Sequence, residues 1–141
     1  MRAIEYLQKI ETMDARINTR LDEVERLKAL AAKTTSVLGG ERVQTSGSQQ
    51  RMADCIAKIV DNEREVKADI AKFVDYKQKA LKVMDLYCDS DCITLLYNRY
   101  FQYKSWEEIA VILSYSYKWV SGGLHSKALQ QFQKGLDKYD E

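Results

Sequence analysis

Apolar residues return at every seventh position along the first part of the chain, at Ala3, Ile10, Ile17, Val24, Ala31 and Leu38, with Leu7, Met13, Leu21 and Leu27 filling the alternate row. That heptad spacing predicts a coiled-coil helix over residues 2–38, about 55 Å long at a rise of 1.5 Å per residue. Residues 52–87 repeat the pattern: Met52, Ile59, Val66, Phe73, Ala80 and Tyr87 form one row, and Ile56, Ile70 and Met84 lie mainly on the other, interrupted by Glu63 and Lys77. Between them, residues 39–48 are rich in glycine and serine and read as a turn, with Gly39 suited to end the first helix. The two helices are therefore expected to fold back antiparallel, with Arg26 opposite Glu63 and Lys77 near Glu11 as charged devices that fix register.

Beyond Tyr87 the period changes. Residues 88–91 form a short polar break with Asp89 or Ser90 as N-cap, and residues 92–102 form a helix with Ile93, Leu96, Tyr97, Tyr100 and Phe101 on its apolar side. Ser105 is a second N-cap, and Glu108 stands three residues on, the spacing of a capping box. Ile109, Ala110, Ile112 and Leu113 follow, Ser114 and Tyr115 break the pattern, and Ser116 caps another helix whose Val120, Leu124, Ala128 and Phe132 recur every four residues. These signals come in the order of a helix-turn-helix. The expected fold is all-α, a long antiparallel helical hairpin over residues 1–88 followed by a three-helix helix-turn-helix unit over residues 89–141. The hairpin's apolar stripes are wider than one seam covers, so a homodimer or higher oligomer is expected.

In a helix-turn-helix the second helix lies in the major groove, which makes double-stranded DNA the leading partner. Near the start of that helix, Tyr117, Lys118, Ser121, Gly122 and His125 are the residues left facing outward by the apolar repeat. Trp106 and Trp119 each fall in the first turn of a helix, where they are expected to staple the motif together.

The segments LLYNRYF, KSWEEIAVIL, SYSYKWV and LHSKAL, spanning Leu95 to Leu136, resemble the promoter-reading C-terminal domain of bacterial sigma factors. They are also similar to small phage regulators of the ArpU-like and RinA-like late-gene activator group, in which a long charged helical hairpin precedes the same core. The resemblance thus covers nearly the whole chain. It implies that Tyr117, Lys118, Ser121 and Gly122 meet bases, that Lys104 and Lys127 lie near phosphates, and that late-gene transcription is regulated. The chain departs from that pattern between Val120 and Leu124, where Ser121-Gly122-Gly123 replaces a segment usually shorter or richer in arginine and lysine.

Composition narrows the choice. The chain has 141 residues, 45% of them apolar, no proline and six glycines, a make-up that favours helices. No apolar run approaches the roughly 20 residues that span a bilayer, and no signal peptide is recognisable, so no membrane partner and a cytoplasmic location are expected, the resemblance implying a bacterial host. Net charge is only +1, which is low for a nucleic-acid-binding protein. Residues 89–141 carry Arg99, Lys104, Lys118, Lys127, Lys134 and Lys138 against Asp89, Asp91, Glu107, Glu108, Asp137, Asp140 and Glu141, but residues 109–136 hold three lysines and no acid. Binding through such a local face is expected to be weak and salt-sensitive.

Of the three cysteines, Cys55, Cys88 and Cys92, only Cys88 and Cys92 can share one helix face, and a zinc site wants about four ligands where the only histidine is His125, so buried thiols and no metal or other cofactor are expected. His125 has no nucleophile at readable spacing, which argues against an enzyme. The tyrosines around the motif suggest base stacking on single strands, but no basic groove accompanies them. Two other functions fit the same features: an adaptor that binds host RNA polymerase with little DNA contact, favoured by the near-neutral charge, and a small DNA-packaging subunit of the terminase type.

Overall fold

The computed structural model describes residues 1–39 and 46–140. Helix α1 spans Ala3–Gly39 and α2 spans Ser46–Tyr87. Three shorter helices follow: α3, Ser90–Leu96, runs on into a π-helical turn over Tyr97–Phe101; α4 is Trp106–Leu113; and α5, His125–Tyr139, continues from a second π-helical turn over Trp119–Leu124. The protein is all-α, a long antiparallel helical hairpin followed by three shorter helices, and no strand occurs among the described residues. Helix α2 already includes Ser46–Ser48, which the glycine and serine content had assigned to the turn; residues 40–45 of that expected turn lie outside the described residues.

The chain packs as two compact units, and their division does not coincide with the expected boundary after residue 88. One unit comprises residues 1–14 and 73–141, the other residues 15–72. Three short helices expose too much of their own surface to close a core. The first turns of α1 and the last turns of α2 supply the missing surface: Tyr6, Leu7, Ile10, Val83 and Met84 are buried in one cluster with Cys92, Leu95, Leu96, Ile109, Val120, Leu124, Phe132 and Leu136. Polar bonds seal this core. The Ala3 N–H donates to Gln133 Oε1 at 2.6 Å, so α5 satisfies an open backbone group at the start of α1. Gly135 permits close approach of α5 to α2, because a Cβ there would lie 2.4 Å from Val83 Cγ1 and 2.8 Å from the Tyr87 ring. Lys77, expected near Glu11, instead holds its ammonium 5.1 Å from the ring centres of both Phe73 and Phe101.

In the other unit the heptad row behaves as its spacing predicts: Ile17 and Val24 of α1 and Ile59 and Val66 of α2 are buried. Leu21, Ile56, Val60 and Ile70 are exposed. The helices are tied at the flanks by Arg20 to Asp69 and Lys28 to Glu63, both at 2.8 Å. Glu63 therefore pairs with Lys28 and not with Arg26. Lys28 is one turn beyond the buried Val24 and so on the seam side, whereas two positions beyond Val24 is the far side of the helix.

Candidate nucleic-acid interface

Helix α3 begins on Asp89, whose Oδ1 accepts the Cys92 N–H at 3.0 Å. Its other oxygen accepts Gln131 Nε2 at 3.1 Å and the Lys127 ammonium at 3.0 Å, while the Asp89 N–H donates to Gln131 Oε1 at 3.0 Å. One residue thus caps α3 and anchors α5. These bonds, with the Cys92 amide first, hold the Asp89 carboxyl far below the usual carboxylate range. Burial pushes the neighbouring thiols up, Cys88 to about 11 and Cys92 to about 12, so both are protonated at neutral pH.

The π turn over Tyr97–Phe101 ends on Gln102; beyond it Tyr103 stands in the left-handed region at φ 58°, and the Lys104 N–H reaches back to the Asn98 carbonyl at 2.9 Å. The chain then enters α4 through Ser105, whose hydroxyl accepts the Glu108 N–H at 3.2 Å as the capping spacing predicts. Ile109 and Ala110 face the core. Helix α4 stops at Ser114, also left-handed at φ 59°: the Ser114 N–H bonds to the Val111 carbonyl at 3.2 Å and the Tyr115 N–H to the Ala110 carbonyl at 3.1 Å, a Schellman closure. A serine at this position accepts the backbone cost that glycine would avoid. The turn is further held by the Tyr115 hydroxyl, which donates to Asp91 Oδ2 at 2.6 Å. Ser116 then caps the next helix, accepting the Trp119 N–H at 3.2 Å.

That helix opens as the π turn Trp119–Leu124. Val120, Leu124, Ala128 and Phe132 are all buried. A four-residue step drifts about 40° round an ordinary α-helix, and a π turn, which holds more residues per turn, offsets the drift. The unusual Ser121-Gly122-Gly123 segment is this π turn. Gly122 faces open space, whereas a Cβ on Gly123 would lie 2.1 Å from Cζ3 of the Trp119 indole, which rests on it.

The expected contact residues do not share one environment. Tyr117, Lys118 and Gly122 are exposed on the first turns of the helix, and among the described residues Lys118 forms no ion pair. Ser121 is half-buried and its hydroxyl donates to the Tyr117 carbonyl at 2.9 Å, so its proton is already used. His125 is not outward-facing. It is half-buried, bonded to the Tyr100 hydroxyl at 2.7 Å and set edge-on to Trp106 at 4.7 Å, because the turn of the helix carries position 125 toward α3 and α4. It borders, with Arg99, Tyr103 and Trp106, a half-open cavity of about 310 Å³. Burial, and secondarily Arg99, keeps its imidazole below the usual histidine range. Lys127 bonds to Asp89, which raises the lysine's proton affinity and holds its ammonium at the root of α3. Lys104 is half-buried beside this turn, and its carbonyl accepts from Arg99 at 3.0 Å.

Trp106 staples the motif as its position suggests, with Arg99 stacked 4.3 Å from its ring centre. Trp119 does so only in part: it covers Gly123 and remains 45% exposed. Ile112, expected on the apolar face of α4, is exposed, as are Val111, at 80%, and Tyr115, which stand outside that face. No helix among the described residues is long and apolar enough to cross a membrane. No family model, curated protein or solved structure matches the chain.

Proposed function

We propose that this protein is a sequence-specific, double-stranded DNA-binding regulator of transcription, without enzymatic activity, acting in the bacterial cytoplasm. The observation that carries this reading is the turn at Ser114 to Ser116, which closes one short helix on the core and starts the next with Tyr117, Lys118 and Gly122 exposed. Such an end can enter a major groove, where lysine donates to guanine and a glycine lets the backbone come close. With Lys127 engaged by Asp89, the cationic contribution near the helix start rests on Lys118, aided by Lys104. The resemblance to phage late-gene activators supports a phage origin and late promoters as targets.

A second copy of the chain is the proposed partner of the distal hairpin. Ile56, Val60 and Ile70 fall on one stripe of α2 by their four- and fourteen-residue spacing, and each is exposed, as is Leu21 of α1. An identical hairpin supplies the same heptad period, so knobs and holes can match.

Selection of bound fragments from a phage genome tests the function. Enrichment of a late promoter supports it, and enrichment of a packaging site favours a packaging role. The adaptor reading, in which the motif binds host RNA polymerase, is favoured by the exposed Val111, Ile112, Tyr115 and Tyr117 around the turn. Absence of enriched DNA, with retention of polymerase, would select it.

A further inference from the structure

We infer that Trp119 is a specificity residue of the DNA interface, making apolar contact with a thymine methyl group in the major groove, in a pose set by Gly123. The inference rests on the DNA-binding reading above and adds a contact to it. Its basis is the packing of the indole on its own helix. Three ring atoms of Trp119 fall within 2.1–3.1 Å of where a Cβ on residue 123 would be, so only glycine lets the ring occupy this place. The residue is nevertheless 45% exposed. A tryptophan recruited for the core would be buried; this one rests against Gly123 and leaves much of its surface to solvent.

Its neighbours suit a groove. Lys118 precedes it, Gly122 and Gly123 leave the helix surface low beside it, and Ser126 is small and exposed. No acidic residue lies between Ile109 and Leu136 in the sequence, and the two acids that approach this helix, Asp89 and Asp91, are engaged by Lys127 and by the Tyr115 hydroxyl. The indole is thus a broad apolar surface beside a cation on the exposed start of the helix. Among base edges in the major groove, the thymine methyl is the apolar feature that such a surface can select. The Ser121-Gly122-Gly123 segment then has a role, because it seats an aromatic reader.

The test uses the full chain and the duplex recovered by fragment selection, with each thymine replaced in turn by uracil, which deletes only the methyl. At one position the replacement should weaken the wild-type protein about fourfold, as expected for one methyl group buried against an apolar surface. Trp119→Ala should bind the unmodified site about tenfold more weakly, within the range for loss of one base contact, and should no longer distinguish thymine from uracil. Gly123→Ala should lose the same discrimination, since its methyl displaces the ring, and Trp119→Phe should retain part of it. Circular dichroism confirms that each variant is folded. If uracil at every position is neutral, or if the discrimination survives in folded Trp119→Ala, the inference is overturned while DNA binding stands. If the wild-type protein selects no duplex, both fall, and an aromatic docking site for a protein takes their place.

Discussion

Tyr6 and Tyr76 are bonded reciprocally: the Tyr6 hydroxyl donates to the Tyr76 carbonyl at 2.8 Å, the Tyr76 hydroxyl donates to the Tyr6 carbonyl at 3.0 Å, and the rings stack 4.0 Å apart. The pair fixes the antiparallel register of α1 against α2 where both join the core. Each removed hydroxyl should cost about 0.5–1.5 kcal/mol, so Tyr6→Phe and Tyr76→Phe should each lower the denaturant midpoint. Burial raises both phenols, Tyr76 to about 12. The folded state therefore holds these protons more tightly than the unfolded chain, and stability should be intact below the unfolded value near 10 and fall as pH rises above it. Alkaline unfolding that is unchanged in the double phenylalanine variant would refute this assignment.

Asp89 links the start of α3 to Lys127 and Gln131 of α5. Loss of the cap in Asp89→Ala should cost about 0.5–2 kcal/mol. Because its carboxyl is depressed, the stabilisation it brings is present above the unfolded value near 3.9 and is lost as acid protonates it. His125 acts in the same direction: its depressed imidazole makes the folded state resist protonation, so stability should begin to fall as pH drops below about 6.5. Urea titrations across acid pH should give a shallower decline between pH 7 and 5 for His125→Gln and a shallower decline below pH 4 for Asp89→Asn.

The glycines divide by what surrounds them. Gly122→Ala places a methyl in open space within a helical turn and should stabilise by up to about 1 kcal/mol. Gly135→Ala drives a methyl into Val83 and Tyr87 in the core and should destabilise by about 1–3 kcal/mol. Thermal melts of the two variants should move in opposite directions.

What could be read from residue order alone follows from how local the cause is. The heptad rows located α1 and α2, and Ile17, Val24, Ile59 and Val66 are buried as that spacing requires. The caps at Ser105 and Ser116 were equally legible, since each depends on residues within three positions. The compact units were not, because Leu7 and Ile10 meet Met84 and Phe132 only through the tertiary fold. The π turn escaped notice for a related reason: apolar residues four apart read as slow drift, and two glycines read as weakness. The helical wheel turns His125 outward and the resemblance sets Lys127 near phosphates, but their surroundings are fixed by Tyr100 and Asp89, 25 and 38 positions away in the chain.

Self-association is a separate expectation. Full-length protein at tens of micromolar, a concentration suited to coil-type affinities, should sediment as a dimer or larger species. Ile56→Glu combined with Val60→Glu should shift it to monomer while leaving helical content intact. A wild-type monomer at that concentration would exclude the shared hairpin interface.

The central claim is that the exposed start of the helix after Ser116 reads DNA, and charge reversal at Lys118 tests it most directly. Titration of the selected duplex and of a random duplex should give a loss of about 1–3 kcal/mol for Lys118→Glu on the selected site and a smaller loss on random DNA. Lys134→Glu should weaken both duplexes alike. If Lys118→Glu and Lys134→Glu lower both affinities equally, or if neither changes them, the reading helix has been misassigned.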